Sequence, residues 1–380
     1  MVVRDRCALR SVALFINELQ RMGGTEVQLC LLAGELRHRG IDTHVILLQE
    51  GGAHVPALRS AGIEVHELRL GSFTSWPEAL AKGLKGGISL VRLLRRLKPQ
   101  VFQAFLYSSY VLGAPAARLA RVPVVVAGRR SQSFFKQGRR WVFALERWAT
   151  RITDHVIANA VAVMEDARTV ERVPGRKLSV IYNGLPASAF ERITPELIET
   201  SLPVIVCVAN LLPVKGHRFL IQAASLLALK DRPCTLVFVG DGPERGSLAR
   251  YASEHKVDVR IMGSRTDVRP FLARADVVVL PSLNEGLSNA IMEAMAAGRP
   301  VVATAVGGTP ELLDGRGVLV PPSDPAALAD AVHRLLDDSE LADSLGAVGC
   351  AWARKNLDGT LMGEEHMKLY QRLLDDRCGR

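Results

Sequence analysis

The densest group of reactive side chains lies between residues 280 and 293, in Leu280-Pro281-Ser282-Leu283-Asn284-Glu285-Gly286-Leu287-Ser288-Asn289-Ala290-Ile291-Met292-Glu293. The apolar run 276–280 reads as a strand, and a helix opens near Ser288. The unpaired N–H groups of a helix start, with the dipole behind them, favour a phosphate. Glu293 falls about one turn into that helix, where it could accept hydrogen bonds from sugar or ribose hydroxyls. A plainer reading stands beside this one: Ser288 is an ordinary N-cap and both glutamates are solvated. Lys215 follows another strand. A lysine after a strand is more often simply solvated.

Other chemistry is disfavoured. The nine histidines form no H-x-H or H-E-x-x-H cluster, so a zinc hydrolase is not expected. The six cysteines, Cys7, Cys30, Cys207, Cys234, Cys350 and Cys378, include no C-x-x-C pair. Reduced, mostly buried thiols are expected rather than a disulfide framework or zinc site. No Asp-x-Asp pair occurs, and no metal is expected. Gly240, Gly242 and Gly246 follow a strand, but the third glycine is one place late for the dinucleotide fingerprint. An NAD(P)-dependent oxidoreductase would also leave the Glu285–Glu293 segment unexplained.

A second feature spans 129–151. Arg129, Arg130, Lys136, Arg139, Arg140, Arg147 and Arg151 face a single Glu146, with Phe134, Phe135, Trp141, Phe143 and Trp148 interleaved. Basic residues attract anionic headgroups, and aromatic rings settle at the membrane interface. The segment is a candidate to dock on a membrane or grip a lipid-linked, pyrophosphate-bearing acceptor. The alternative is an ordinary amphipathic helix with its tryptophans in the core.

Something must position these groups. The chain has 380 residues, 48% hydrophobic and 23% charged, the mix of a folded protein of about two domains. β-branched runs alternate with helical patterns throughout, which argues for parallel sheets with right-handed crossovers. Strands are expected at 11–16, 43–48, 64–68, 100–105, 123–127, 155–158 and 178–182, then at 204–209, 235–240, 259–262, 276–280, 301–304 and 318–320. Helices are expected at 25–39 and at 78–97, the latter burying Leu80, Leu84, Ile88, Val91 and Leu94. The fold class is therefore α/β, with two Rossmann-like domains: residues 1–185, a linker at 186–203 marked by Pro186, Pro195 and Pro203, and residues 204–362. A terminal helix at about 363–380 has the first domain as one place to pack. Ligands of open parallel sheets bind beyond the carboxyl ends of the strands, so the natural site is a cleft between two facing sheets. Charge is uneven. Residues 1–185 hold 27 Lys and Arg against 14 Asp and Glu, and the rest 21 against 25. The first half should face something anionic. Charge alone gives only non-specific affinity for nucleic acid, and no reading motif accompanies it. No apolar run is long enough to span a bilayer, and the apolar stretch 12–16 is too short for a secretory signal. The expected place is the cytoplasm, with the inner face of the plasma membrane as a docking surface.

The spacing Glu285 to Glu293, followed by Ala-Met-Ala-Ala-Gly-Arg-Pro-Val-Val-Ala, resembles the donor-site motif of glycosyltransferase family 4, retaining enzymes of GT-B fold. Gly23-Gly24-Thr25-Glu26, Tyr182-Asn183-Gly184, the segment 208–217 around Lys215, Val239-Gly240-Asp241-Gly242-Pro243 and Gly307-Gly308-Thr309-Pro310-Glu311 match further family segments in order. The resemblance covers nearly the whole chain. It implies transfer of a sugar from a nucleotide-sugar donor, UDP being the commonest carrier, to a saccharide or lipid-linked glycan such as a lipopolysaccharide or capsule precursor. It assigns Lys215 to the donor diphosphate, the backbone of Gly286, Leu287, Ser288 and Asn289 to the same group, Glu293 to the ribose and Glu285 to the transferred sugar. Gly24 would admit the donor phosphates and acceptor, and Arg265 would lie near the base. The implied mechanism is front-side displacement, in which the departing phosphate assists the acceptor. It needs neither an enzyme nucleophile nor a cofactor. Two positions depart from the pattern: Asn210 stands where many members have arginine, and Ser108 where many have histidine. They motivate an alternative, a binding protein of the same fold with a decayed donor site.

Overall fold

The computed structural model describes residues 8–19, 23–70, 76–133 and 140–379. The chain divides into two compact units, Met1–Gly184 with Gly359–Arg380, and Leu185–Asp358. In the first unit seven parallel strands, β1 (Ser11–Ile16), β2 (Asp42–Leu47), β3 (Glu64–Glu67), β4 (Val101–Phe105), β5 (Val124–Arg129), β6 (His155–Ala158) and β7 (Leu178–Val180), lie in the order β3-β2-β1-β4-β5-β6-β7. They alternate with α1 (Gly24–His38), α2 (Val55–Ser60), α3 (Trp76–Leu97), α4 (Tyr107–Leu119), α5 (Arg140–Ile152) and α6 (Val161–Thr169).

Successive residues of a strand face opposite sides of its sheet. On β1, Val12, Leu14 and Ile16 join a core with Leu29, Leu32 and Leu36 of α1. Ala13 and Phe15 join the other core with Leu90 and Leu94 of α3 and Tyr110 of α4. Burial on both faces explains why these strands read as near-continuous apolar runs.

The last helix, α14 (Gly359–Cys378), packs on α1. Its Tyr370 is fully buried and donates its hydroxyl to Gln103 Oε1 on β4 at 2.6 Å.

In the second unit β8 (Val204–Val208), β9 (Thr235–Val239), β10 (Asp258–Gly263), β11 (Val277–Leu280), β12 (Val301–Thr304) and β13 (Val318–Val320) form a parallel sheet in the order β10-β9-β8-β11-β12-β13. The helices here are α7 (His217–Leu229), α8 (Arg245–Glu254), α9 (Arg269–Arg274), α10 (Asn289–Ala296), α11 (Thr309–Leu313), α12 (Pro325–Asp337) and α13 (Ser339–Asn356). In each sheet the strand order reverses once, between β1 and β4 and between β8 and β11. Crossovers leave on opposite faces there, so the loops beyond those strand ends part and admit a ligand.

Two expectations need correction. The buried stripe of α3 is only partly the one counted from apolar spacing. Leu94 is buried as expected and Leu90 is buried beside it, but Leu84 and Ile88 are exposed; the side chain of Leu80 lies outside the described residues. The helix approaches its neighbours through glycine: a Cβ on Gly86 would stand 2.2 Å from Leu70 Cδ1. A pattern that counts only apolar side chains passes over such a contact. The cysteines also differ from the expected set of reduced thiols. Cys30, Cys207, Cys234 and Cys350 are free, whereas Cys378 is disulfide-bonded.

Candidate functional site

The switch point of the second sheet brings together two loops from distant parts of the sequence. After β8 the chain makes a 3-10 turn, Pro213–Lys215, and enters α7 through Gly216. After β11 it runs through Pro281 to Ser288 and enters α10. Leu283 N–H donates to Val214 O at 2.8 Å and ties the loops. Gly216 has φ +69, and a Cβ there would lie 2.0 Å from Pro281 O. Only glycine satisfies that backbone and that approach.

Lys215 and Glu285 meet at this junction. Lys215 Nζ donates to Glu285 Oε1 at 2.6 Å, and Ser282 Oγ donates to the same oxygen at 2.7 Å. Glu285 is buried, and Lys215 is partly exposed. A buried carboxylate needs such partners. The loop after β12 fixes Glu285 from the other side. Gly307 has φ +54 with its missing Cβ 2.0 Å from Glu285 O, and Gly308 N–H donates to Gly286 O at 2.7 Å.

Ser288 caps α10, its hydroxyl accepting from Ile291 N–H at 3.4 Å. The plain N-cap reading of Ser288 therefore holds, and it coexists with a helix start whose dipole points out of the sheet's carboxyl edge. Gly286, Leu287 and Ser288 are buried, and Asn289 is partly exposed. Glu293 sits one turn on, and burial, with the Asp267 charge second, pushes its carboxyl up to about 7. A carboxyl that titrates near neutrality on the first turns of a helix is suited to exchange hydrogen bonds with hydroxyls. Asn210 is exposed in the loop after β8, and Arg265 is exposed beyond β10 with its guanidinium 5.9 Å from the Phe271 ring centroid. Neither bonds into the Lys215–Glu285 pair.

Sequence reasoning missed two residues here. Ser282 orients Glu285, and His217 opens α7 directly after Gly216. His217 is fully buried, both ring nitrogens lack a hydrogen-bond partner, and its ring meets Phe238 edge-on at 4.9 Å. Burial, then the Lys215 charge, lowers its pKa to about 4, so it is neutral at pH 7. Serine beside a glutamate and histidine after Lys-Gly were visible, but no spacing rule gave them a role.

The first unit has its own switch point, and Ser108 lies in it. Asn17, just after β1, donates from Nδ2 to Ser108 Oγ at 2.5 Å and accepts from Ser109 Oγ at 2.9 Å. Ser108 is exposed at the start of α4, and Gly24 is exposed at the start of α1. Nearby, the Asn183-Gly184 segment is held by α1: Gln28 exchanges two 2.8 Å hydrogen bonds with the Gly184 backbone. Arg130 Nη1 donates to Asn183 Oδ1, and its guanidinium stacks 5.1 Å from the Phe105 centroid. Burial lowers its pKa to about 10.

The basic aromatic segment divides. Arg129 is buried and pairs with Glu146 at 3.1 Å and Glu171 at 2.9 Å, so it is an interior cation rather than part of a surface. Arg130 turns to Asn183. Lys136 and Arg139 lie outside the described residues, as does the side chain of Arg140. On α5, Val142 and Ala149 are buried while Trp141, Leu145 and Trp148 are exposed. Those three stand four and three residues apart and form one stripe, flanked by exposed Arg147 and Arg151. The tryptophans are outside the core, contrary to the amphipathic-helix alternative. Among the described residues no helix is long and apolar enough to cross a membrane.

Two family models match the chain, "Glycosyltransferase Family 4" over residues 22–188 and "Glycosyl transferases group 1" over 202–338. A glycogen synthase of Mycobacterium tuberculosis is 31% identical over 303 residues, 74% of this chain and 72% of that relative. A UDP-Gal:alpha-D-GlcNAc-diphosphoundecaprenol alpha-1,3-galactosyltransferase of Escherichia coli is 29% identical over 285 residues, 69% of this chain and 73% of that relative. Among solved structures, HepE of Anabaena in complex with UDP and glucose superposes with a TM-score of 0.83 at 21% identity, covering 96% of this chain and 100% of that one.

Proposed function

The chain belongs to glycosyltransferase family 4, and from that premise we propose that it is a retaining hexosyltransferase using a nucleotide-sugar donor, a UDP-sugar in first place, bound by the second unit. One observation carries the reading. Lys215, Glu285, Ser282 and the start of α10 converge at the strand-order reversal of the second sheet. Lys215 and the α10 N–H groups suit the diphosphate, whose charge grows as the glycosidic bond breaks. In this reading Glu285 takes the sugar hydroxyls and Glu293 the ribose. In front-side displacement the departing phosphate takes the acceptor proton on the face it leaves. This explains how Ser108, which is no base at neutral pH, suffices in the first unit. It calls for no metal, because a lysine and a helix start supply the positive field.

The acceptor is a saccharide or a lipid-linked glycan, taken by the first unit. Its surplus of 27 basic over 14 acidic residues in 1–185 suits a phosphorylated acceptor, and the exposed Trp141, Leu145 and Trp148 stripe suits an anionic membrane surface. The Escherichia coli relative carries a diphosphoundecaprenol acceptor in its name, and the Anabaena neighbour was crystallised with UDP.

Calorimetry tests the donor site. UDP, GDP and ADP are titrated without metal into the wild-type chain, Lys215→Ala and Glu293→Ala. One nucleotide should bind the wild type and lose at least tenfold in either variant, about 1.4 kcal/mol. If no nucleotide binds at millimolar concentration, the donor site is decayed and the binding-protein reading replaces this one.

A further inference from the structure

The edge of the first sheet holds three metal-ligating side chains that the donor and acceptor roles leave unused. β3 is an edge strand, and its parallel register sets Glu64 opposite His44 and His66 opposite Ile46. Glu64 and His66 are two residues apart and share a face, with His44 of β2 reaching between them. His44 Nδ1 lies 3.4 Å from His66 Nε2, His44 Nδ1 lies 3.4 Å from Glu64 Oε2, and His66 Nε2 lies 3.4 Å from the same oxygen.

Three equal edges of this length define a point about 2.0 Å from every corner. Ligands at the 2.0–2.1 Å typical of zinc stand roughly 3.3–3.4 Å apart when tetrahedral. A Glu64 oxygen accepting from both imidazoles is one way to hold such a triangle, and a shared cation at its centre is the other. The remaining ring nitrogen of His44, Nε2, is 3.3 Å from Asp42 Oδ2. A carboxylate behind a ligating imidazole fixes its tautomer and raises its basicity. Asp42 and Glu64 supply two negative charges, and Arg96 of α3 is the cation acting on His66. The imidazoles are mostly enclosed while the Glu64 side chain is 65% exposed, which leaves one side open to water.

We propose that His44 Nδ1, His66 Nε2 and Glu64 bind one zinc ion, with water as the fourth ligand, and that the ion fastens the short edge strand β3 to β2. Imidazole and carboxylate together suit zinc over magnesium or calcium. The site is separate from the donor loops, which belong to the other unit.

The test uses the full chain without an affinity tag, stripped with a chelator and titrated with Co²⁺ and then Zn²⁺. One equivalent of Co²⁺ should give the intense visible absorption of a four-coordinate site, and Zn²⁺ should displace it. Zinc should also raise the thermal midpoint. His66→Gln and Glu64→Gln, both at the sheet edge, should each lose the absorption and the thermal shift, and Asp42→Asn should weaken binding roughly 10- to 100-fold. Lys215→Ala should keep all three responses, which separates this site from the nucleotide reading. Six-coordinate, weak Co²⁺ uptake, or uptake unchanged in His66→Gln and Glu64→Gln, overturns the proposal.

Discussion

Replacing Glu293 by glutamine separates the cost of burying a carboxylate from its use. Burial and Asp267 raise this carboxyl from 4.5 to about 7, which corresponds to roughly 3 kcal/mol. That figure is an upper bound, because partial exposure lets water screen the charge. The sign follows from proton counting. Below pH 4.5 the folded and unfolded chains are both protonated here, and no penalty exists. As pH rises towards 7 the unfolded chain gives up the proton while the folded chain retains it, so stability falls. Above about pH 7 the full penalty stands. Glutamine has no such term. In the absence of nucleotide the thermal midpoint of Glu293→Gln should match wild type near pH 4.5 up to a constant offset and gain on it as pH rises, levelling off above pH 7. The gain should be about 2–4 °C per kcal/mol for a unit of this size. Nucleotide binding should run the other way. Hydroxyls that donate to the ionised carboxylate favour it, so wild-type affinity should increase as pH rises through 7, with a proton released. The glutamine variant should bind at least tenfold more weakly, with no pH dependence from this source. The assays are thermal melts at pH 4.5–8.5 and calorimetry in buffers of different ionisation enthalpy. A midpoint gap that does not change with pH refutes the burial argument. A wild-type affinity flat across pH 6–8 refutes the assignment of Glu293 as an ionised acceptor of hydroxyls.

Gly307→Ala should displace the Glu285 loop, since φ +54 and a carbonyl 2.0 Å from the new Cβ leave it no room; a loss of roughly 2 kcal/mol or more and weakened nucleotide binding should appear together in melts and calorimetry. Arg129→Leu would leave Glu146 and Glu171 buried without their cation, and a loss of about 3–5 kcal/mol is expected from denaturant unfolding. Trp141→Ser combined with Trp148→Ser should leave the melting temperature nearly unchanged, because both rings are exposed, yet reduce flotation with anionic vesicles; equal flotation would remove the membrane surface from the reading.

The parts of the fold that were legible in the sequence are those set by local pattern. β6, β12 and β13 fall on the residues expected from their short, β-branched runs. The helix α3 was legible as an element but only partly as a face: Leu94 is buried as counted, Leu84 and Ile88 are not, and Gly86 makes a close approach with no side chain to count. Arg129 was legible as charge but not as interior charge. Glu146 stands 17 residues away and Glu171 stands 42 residues away, and only β5, α5 and the turn after α6 bring them within 3.1 Å. His44 and His66 show the same limit. A search for histidines at helical or local spacing misses a pair 22 residues apart that parallel strand register makes neighbours.

The site itself shows why some of its residues announced themselves and others did not. Lys215 and Glu285 are 70 residues apart and lie in the loops after β8 and β11; position alone left both open to a solvated reading, and the resemblance to glycosyltransferase family 4 assigned their roles. Parallel α/β folding sends every such turn to one edge of the sheet, and the reversal of strand order makes β8 and β11 neighbours there. Chemistry placed after those two strands must meet, whatever lies between them in sequence. What the turns cannot reveal is how tightly they meet. That depends on Gly216 and Gly307, whose missing side chains let backbones approach to contact, and on Ser282, whose hydroxyl has meaning only once Glu285 is buried beside it. The pairing of Lys215 with Glu285 carries a consequence for turnover. Lys215 is committed to a carboxylate before any diphosphate arrives, so a bound donor must share or take over that cation. Asn210 brings no charge where the family resemblance places a second cation, and Lys215→Ala should therefore cost more in transfer rate than in ground-state nucleotide affinity.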